Sequence, residues 1–384
     1  MKTGVFSLVL IILVVLTQPL SANEQNPDQL FLKGLAAYYH SDYEQALTLF
    51  DDVLALNQYH QDTLYYQTLA QIKLNNIVEA KKNIAILKQH GYEFGYLYWK
   101  LGTVYLNKDQ QFDSPFYNEA RLELEKAQML GINSAALYSD LAMAYHGLGN
   151  LEMAAEKYRI ALSQGGTTAD YINLASIYKE MGQIDQAIEI FNTALTLKED
   201  MSIYLSLGNL YLQKEDYASA VKILEKGQEL NPLFIPVTSR LAQAYYYYGN
   251  ISKAKGEFTR IINEKPDNYR AYYYLGEISV KYEEDIPRAI YYYNEAIKYN
   301  PDYVKAYIAV GNIYLEQGNN YKAIAQYTSA IEKNPNYPDG HYYLALVYYR
   351  LNMKEAAIAE LRKTLHLNPN FKDARAVLSK LQEE

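Results

Sequence analysis

The chain has 384 residues, with 36 Lys+Arg against 44 Asp+Glu and a net charge of −8. Apolar residues make up 49%, ample for a core, while the acidic balance argues against a nucleic-acid partner, whose phosphates need a basic face. The absence of cysteine excludes disulfides, zinc–thiolate sites and a cysteine nucleophile.

Tyrosine is far out of proportion, with 42 residues against 10 Phe and 1 Trp. Its apolar body and polar tip suit half-buried surfaces.

The first 22 residues have the layout of a secretory signal peptide. Lys2 supplies the charge, Val5 to Leu16 an apolar run, and Pro19, Ser21 and Ala22 the exit. The run is about 12 residues, short of the roughly 20 that span a bilayer. Cleavage after Ala22 is expected, leaving an exported chain, periplasmic or secreted. Leu20 stands where a smaller side chain is usual. Nothing else in the chain could cross a membrane, so no stable span is expected unless this segment stays uncleaved as an anchor.

Beyond it the chain repeats itself. Asn231-Pro232, Lys265-Pro266, Asn300-Pro301, Asn334-Pro335 and Asn368-Pro369 set prolines 34, 35, 34 and 34 residues apart. A small residue with Tyr three positions on forms a second ladder: Gly102/Tyr105, Ala142/Tyr145, Ala175/Tyr178, Gly208/Tyr211, Ala242/Tyr245, Gly311/Tyr314 and Ala345/Tyr348. A third is Ala154, Ala187, Ala220, Ala254, Ala289, Ala323 and Ala357. Each is followed four residues later by Tyr158, Phe191, Leu224, Phe258, Tyr293, Tyr327 or Leu361. Apolar residues at i, i+3, i+4 and i+7, as in Tyr204, Leu207, Gly208 and Tyr211, predict a first helix in each unit. It closes at a Gly-Asn-like turn such as Gly249-Asn250. A second helix then runs to the next proline. The small residues belong where the two helices cross, with the large ones beside them.

Residues 201–232, "MSIYLSLGNLYLQKEDYASAVKILEKGQELNP", carry every ladder in order. On these residues the chain resembles the tetratricopeptide repeat family. Ten units cover nearly all of the mature chain: 27–60, 61–94, 95–134, 135–167, 168–200, 201–234, 235–268, 269–303, 304–337 and 338–371. The first two are degenerate, unit two keeping little beyond Leu64, Ala80 and Ile84. Residues 372–384 read as a polar-faced capping helix. The resemblance implies an all-α fold, a right-handed α-solenoid whose first helices line a concave groove.

In "YYYYGN", residues 245–250, Tyr245 is then the wedge between helices, and Tyr248 packs at the end of the pair. Tyr246 and Tyr247 look toward the groove and should lie largely off the core. The same is expected of Tyr273, Tyr274, Tyr342, Tyr343 and Tyr349, with Trp99 in the equivalent place in unit three. Asn209, Gln243, Glu277 and Asn312 fall at one position in successive units, where amides could bond a ligand backbone without reading its sequence. A solvated inner face is the plainer alternative. Arg240 and Arg270 are cations able to hold a carboxylate, though lone surface arginines are mostly solvated. The family's carboxylate-clamp pattern is not intact, since Leu205 stands where a Lys would be, so binding of chaperone C-termini is not supported.

Histidines 40, 60, 90, 146, 341 and 366 show no metal-ligand spacing, and no HExxH, GxSxG, phosphate loop or calcium loop occurs. No cofactor, no metal and no catalysis are expected. The long turn at 107–116 is a tolerated loop or, through Phe112 or Phe116, a partner contact. The expected function is a non-catalytic scaffold binding a protein or peptide in its groove, organising a cell-envelope or secreted assembly. The alternatives are a carbohydrate-binding accessory of polysaccharide export and a self-assembling structural element, hence a homo-oligomer.

Overall fold

The computed structural model describes residues 26–106 and 115–383. The expected signal segment and most of the long turn, Phe112 included, lie outside the described residues. Among those described, all regular structure is helical, 21 helices in total. The chain divides into two compact units, residues 1–199 and 200–384.

The first unit holds α1 (Pro27–Tyr39), α2 (Tyr43–Leu56), α3 (Gln61–Lys73), α4 (Ile77–Gln89), α5 (Gly95–Tyr105), α6 (Tyr117–Met129), α7 (Ala135–Gly147), α8 (Leu151–Ser163), α9 (Thr168–Glu180) and α10 (Ile184–Leu197). The second holds α11 (Met201–Gln213), α12 (Tyr217–Leu230), α13 (Ile235–Tyr248), α14 (Ile251–Glu264), α15 (Tyr269–Lys281), α16 (Ile286–Tyr299), α17 (Val304–Glu316), α18 (Asn320–Lys333), α19 (Pro338–Arg350), α20 (Lys354–Leu367) and α21 (Lys372–Glu383).

Local chemistry sets these boundaries. α13 closes at Gly249, whose φ of 89° is left-handed, a conformation that glycine adopts without a Cβ penalty. The Asn250 N–H then donates to Tyr245 O at 2.8 Å, satisfying a terminal carbonyl. The Asn250 side chain accepts from Lys253 N at 3.3 Å and so starts α14. Second helices stop one residue before the Asn-Pro pairs. Asn300, for example, is extended and cannot continue α16 into Pro301.

Within each unit every first helix packs along the second helix that follows, and all but one of these second helices, α4, pack on the next first helix. First helices also touch one another, α3 with α5 in the first unit and α11 with α13 in the second. Each unit is thus a stack of helix pairs with first helices along one side.

The ladders meet inside each pair. A methyl added at Gly208 would lie 2.4 Å from Leu224, at Gly276 2.6 Å from Tyr293, and at Gly311 2.5 Å from Tyr327. Tyr158, Phe258, Tyr293 and Tyr327 are fully covered, each burial being worth about 1.5–3 kcal/mol. Of the tyrosine run, Tyr245 and Tyr246 are buried, while Tyr247 and Tyr248 are exposed. Tyr248 therefore does not pack the end of its pair, because two residues past Tyr246 the helix has turned its face to solvent. α21 buries Ala374 and Leu381 against Leu361 and Ala357, and exposes Lys372, Asp373 and Arg375.

The last repeat carries a buried polar tie. The His341 ring bonds Glu360 through Nδ1 at 2.6 Å and Pro335 O through Nε2 at 3.0 Å. Burial pulls the Glu360 carboxyl up, but hydrogen bonds from Lys363 and His341 outweigh it and hold the group below its usual range.

Two outcomes follow from this packing. Gly276→Ala should destabilise the second unit by about 1–3 kcal/mol through overpacking on Tyr293, whereas Gly256→Ala, exposed with open space around it, should stabilise by about 0.5–1 kcal/mol; urea midpoints separate them. A carboxyl depressed in the fold stabilises above its unfolded pKa, about 4.3. That contribution is lost as pH falls through the folded value, so the hydrogen-exchange protection factors of α19 and α20 amides, corrected for the intrinsic pH dependence of exchange, should fall on acidification below about pH 4.3. Glu360→Gln should flatten that dependence.

Candidate functional site

In the second unit, Asn209 of α11, Arg240 and Gln243 of α13, and Arg270 of α15 line one cavity of about 330 Å³. Leu205, Ile235, Pro236, Phe258 and Ile261 form its apolar wall, and Ser239, Lys265 and Asn268 add polar groups. The three helices are successive first helices, so equivalent positions on each meet on one side of the stack. Arg240 Nη1 donates to Gln243 Oε1 at 2.9 Å. Burial and the charge of Arg270 both disfavour the Arg240 cation and lower its pKa. Among the described residues no carboxylate lies within ion-pair distance of Arg240 or Arg270. Lys265, Asn268 and Ser239 were not singled out from the sequence; Lys265 reads there as repeat punctuation before Pro266.

The polar ladder divides according to the side chain beneath it. Where the second helix offers a tyrosine, the ladder residue accepts from its hydroxyl: Tyr293 donates to Glu277 Oε1 at 2.8 Å, and Tyr327 to Asn312 Oδ1 at 2.7 Å. Glu277 also receives Lys281 Nζ at 2.7 Å. Where the second helix offers Leu224 or Phe258, no such hydroxyl exists. Asn209 then has no side-chain partner among the described residues, and Gln243 keeps its amide N–H groups free beside Arg240.

The tyrosines expected to face the groove are mostly packing residues. Tyr246 is only 8% exposed and belongs to the core with Leu275 and Ile278, its edge against Tyr274 at 5.4 Å. Its ring fills the seam between α13 and α15, which is why it is not off the core. Tyr274 stacks on Phe258 at 4.9 Å, and Tyr273 packs between Tyr293 and Tyr303. Burial foremost raises the pKa of both hydroxyls. Tyr342 is half-covered by Phe371, the residue before α21, and Tyr349 lies beneath Lys380 of α21. Tyr343 stacks on Tyr327 and, with Tyr273, Glu277 and Asn312, lines a smaller cavity of about 220 Å³. Tyr247 is the exposed one of the set, at 48%, stacked on Tyr217 with its hydroxyl 3.2 Å from that of Tyr274.

In the first unit, Trp99 lines a cavity of about 830 Å³ with Tyr96, Lys100, Asp140 and Asp170. Its indole N–H already donates to Asp140 Oδ2 at 2.7 Å, and Lys100 Nζ sits 5.0 Å over its ring. Phe116 packs against Tyr105 at 6.3 Å. Among the described residues no group of three His, Asp or Glu side chains could hold a metal, and no helix is long and apolar enough to cross a membrane.

Helix pairs stacked in this way, with ligand-sized cavities along the first helices, define an α-solenoid interaction scaffold. The chain belongs to the tetratricopeptide repeat family. Tetratricopeptide repeat models match residues 171–201, 211–277, 292–325 and 338–371, and a TPR repeat model matches 311–352. The chain is similar in structure to yeast Tom70, at 16% identity and a TM-score of 0.50, covering 94% of this chain and 89% of that one. It is similar also to a chain of the APC/C hetero-tetramer Cut9-Hcn1, at 14% identity and a TM-score of 0.50, covering 92% and 76%. Likeness at these identities concerns the fold. Among curated protein sequences none matches.

Proposed function

We propose that the chain is a non-catalytic scaffold that works outside the cytoplasm and binds an extended segment of a partner protein along the first helices of its second unit. The observation that carries this reading is the release of Asn209 and Gln243. Two amides, at the ladder position whose successors are tied up by Tyr293 and Tyr327, face a cavity with an apolar wall. A free amide offers both a donor and an acceptor, as a peptide backbone requires. Export rests on the layout of residues 1–22, and organising a cell-envelope or secreted assembly on that layout together with the family. The carbohydrate alternative finds less support, because Trp99 is bonded to Asp140 and covered by Lys100 rather than presenting a free face.

The test selects a displayed random heptapeptide library on the full-length chain and measures the affinity of the recovered peptides. Asn209→Ala with Gln243→Ala removes two amide contacts of about 0.5–1.5 kcal/mol each, so affinity should fall roughly 5- to 150-fold. Phe258→Tyr should weaken binding too, by placing a hydroxyl where Gln243 can bond it, as Tyr293 does with Glu277. Recovery of no peptide, or affinities indifferent to both variants, would sink the reading. N-terminal sequencing of the exported chain should begin at Asn23; a retained Met1 would refute cleavage.

A further inference from the structure

The second unit's cavity has a charge that the rest of the chain does not. Arg240, Lys265 and Arg270 line it, and no aspartate or glutamate does, although the chain carries 44 acidic residues against 36 basic. Of the other arginines, Arg121 pairs with Glu125 at 2.8 Å, Arg260 with Glu257 at 2.9 Å, and Arg288 with Asp285 at 3.3 Å, while Arg350 donates to the Leu315 carbonyl. Arg240 is half-buried, and its side-chain bond goes to the neutral amide of Gln243. A half-buried guanidinium without a counter-charge is costly, and it is made costlier here by a second arginine lining the same cavity. Sites that break a local rule in this way are where function is expected.

We propose that this cavity receives a dianionic group on the partner segment, either two neighbouring carboxylate side chains or one phosphorylated side chain, held by Arg240 and Arg270 with Lys265 adding charge. The proposal rests on the peptide-groove reading and names the chemistry of its ligand. Guanidinium groups present a planar fork that pairs bidentately with carboxylate or phosphate, so two forks match two carboxylates or the several oxygens of one phosphate. A single carboxylate would satisfy one fork and leave the other facing it. The recognised charge lies on side chains within the segment, so a free C-terminal carboxylate is not required.

Peptides recovered from the displayed library are synthesised with amidated C-termini, and their binding to the full chain is followed by fluorescence anisotropy. The proposal expects adjacent Asp or Glu residues to be enriched among them. It expects their replacement by Asn and Gln to cost about 10-fold or more. Arg240→Gln with Arg270→Gln should cost as much for the acidic peptide and almost nothing for the neutral one, since the two changes remove the same interaction. A peptide with phosphoserine in place of the acidic pair assigns the source: tighter binding points to phosphate, weaker binding to paired carboxylates. Neutral or basic peptides that bind and remain sensitive to Asn209→Ala with Gln243→Ala would overturn the dianion proposal and leave the groove reading standing. Recovery of no peptide would overturn the groove reading. The guanidinium NMR signals of Arg240 and Arg270, titrated with inorganic phosphate, then decide the anion site by themselves: saturable shifts uphold it and their absence refutes it. Urea midpoints must match between wild type and the arginine variant for the comparison to count.

Discussion

The close crossing of two helices, small residue against large ring, is the constraint from which the rest of the structure follows. Gly208, Gly276 and Gly311 leave no room even for a methyl group beside Leu224, Tyr293 and Tyr327. That contact fixes the distance and rotation of each pair, so the residue after the glycine always stands at the same place relative to the ring. Position 209 over Leu224 is geometrically the same as 277 over Tyr293. What differs is whether the side chain beneath ends in a hydroxyl. One oxygen on the second helix therefore decides whether a polar side chain of the first helix serves the interior or is left free to bond elsewhere.

Tyrosine abundance is explained by the same geometry. A fully buried tyrosine must place its hydroxyl on a partner, because an unsatisfied buried polar group costs about 1–3 kcal/mol. Tyr293 and Tyr327 find that partner on the neighbouring first helix, and Tyr246 lies within reach of Glu277 and Lys281. Rings pack edge-on against rings through the seams, as Tyr246 does with Tyr247 and Tyr274. The composition reflects a core built from tyrosine more than a surface coated with it.

The repeat was legible because several ladders share one period, and each marks a different physical need: a close crossing, a filler beside it, a left-handed turn, a helix stop. Unit two was hard to read for an equally physical reason. Its interior holds Thr63, Gln67, Thr68, Gln71 and Asn83, with Asn83 bonded to Gln67 at 2.7 Å and to Gln71 at 3.1 Å. Polar side chains bonded to one another share its interior with Leu64, Leu69, Ile72, Ile84 and Leu87, which breaks the apolar periodicity. The groove was legible by position but not by role. Tyr246 and Tyr247 are neighbours in a helix, yet one is buried and the other exposed. The difference lies in the ring set of the next pair, which local spacing does not contain. Arg240 and Arg270 looked like isolated surface cations, and only folding brings them to one cavity.

The Trp99 cavity and the Arg240 cavity differ more in chemistry than in size. The larger one, in the first unit, balances Lys73 and Lys100 against Asp140 and Asp170, and its most conspicuous side chain, Trp99, is already bonded. Asp140 accepts from that indole and Asp170 accepts from Thr167, so both carboxylates are bonded within the cavity wall. The Arg240 cavity keeps two guanidinium groups without a carboxylate and two amides with open valences. Of the two guanidinium groups, Arg240 is the half-buried one, and a half-buried cation without a counter-charge is costly. A vacancy of that kind is consistent with selection for something that enters from outside, carrying the missing charge.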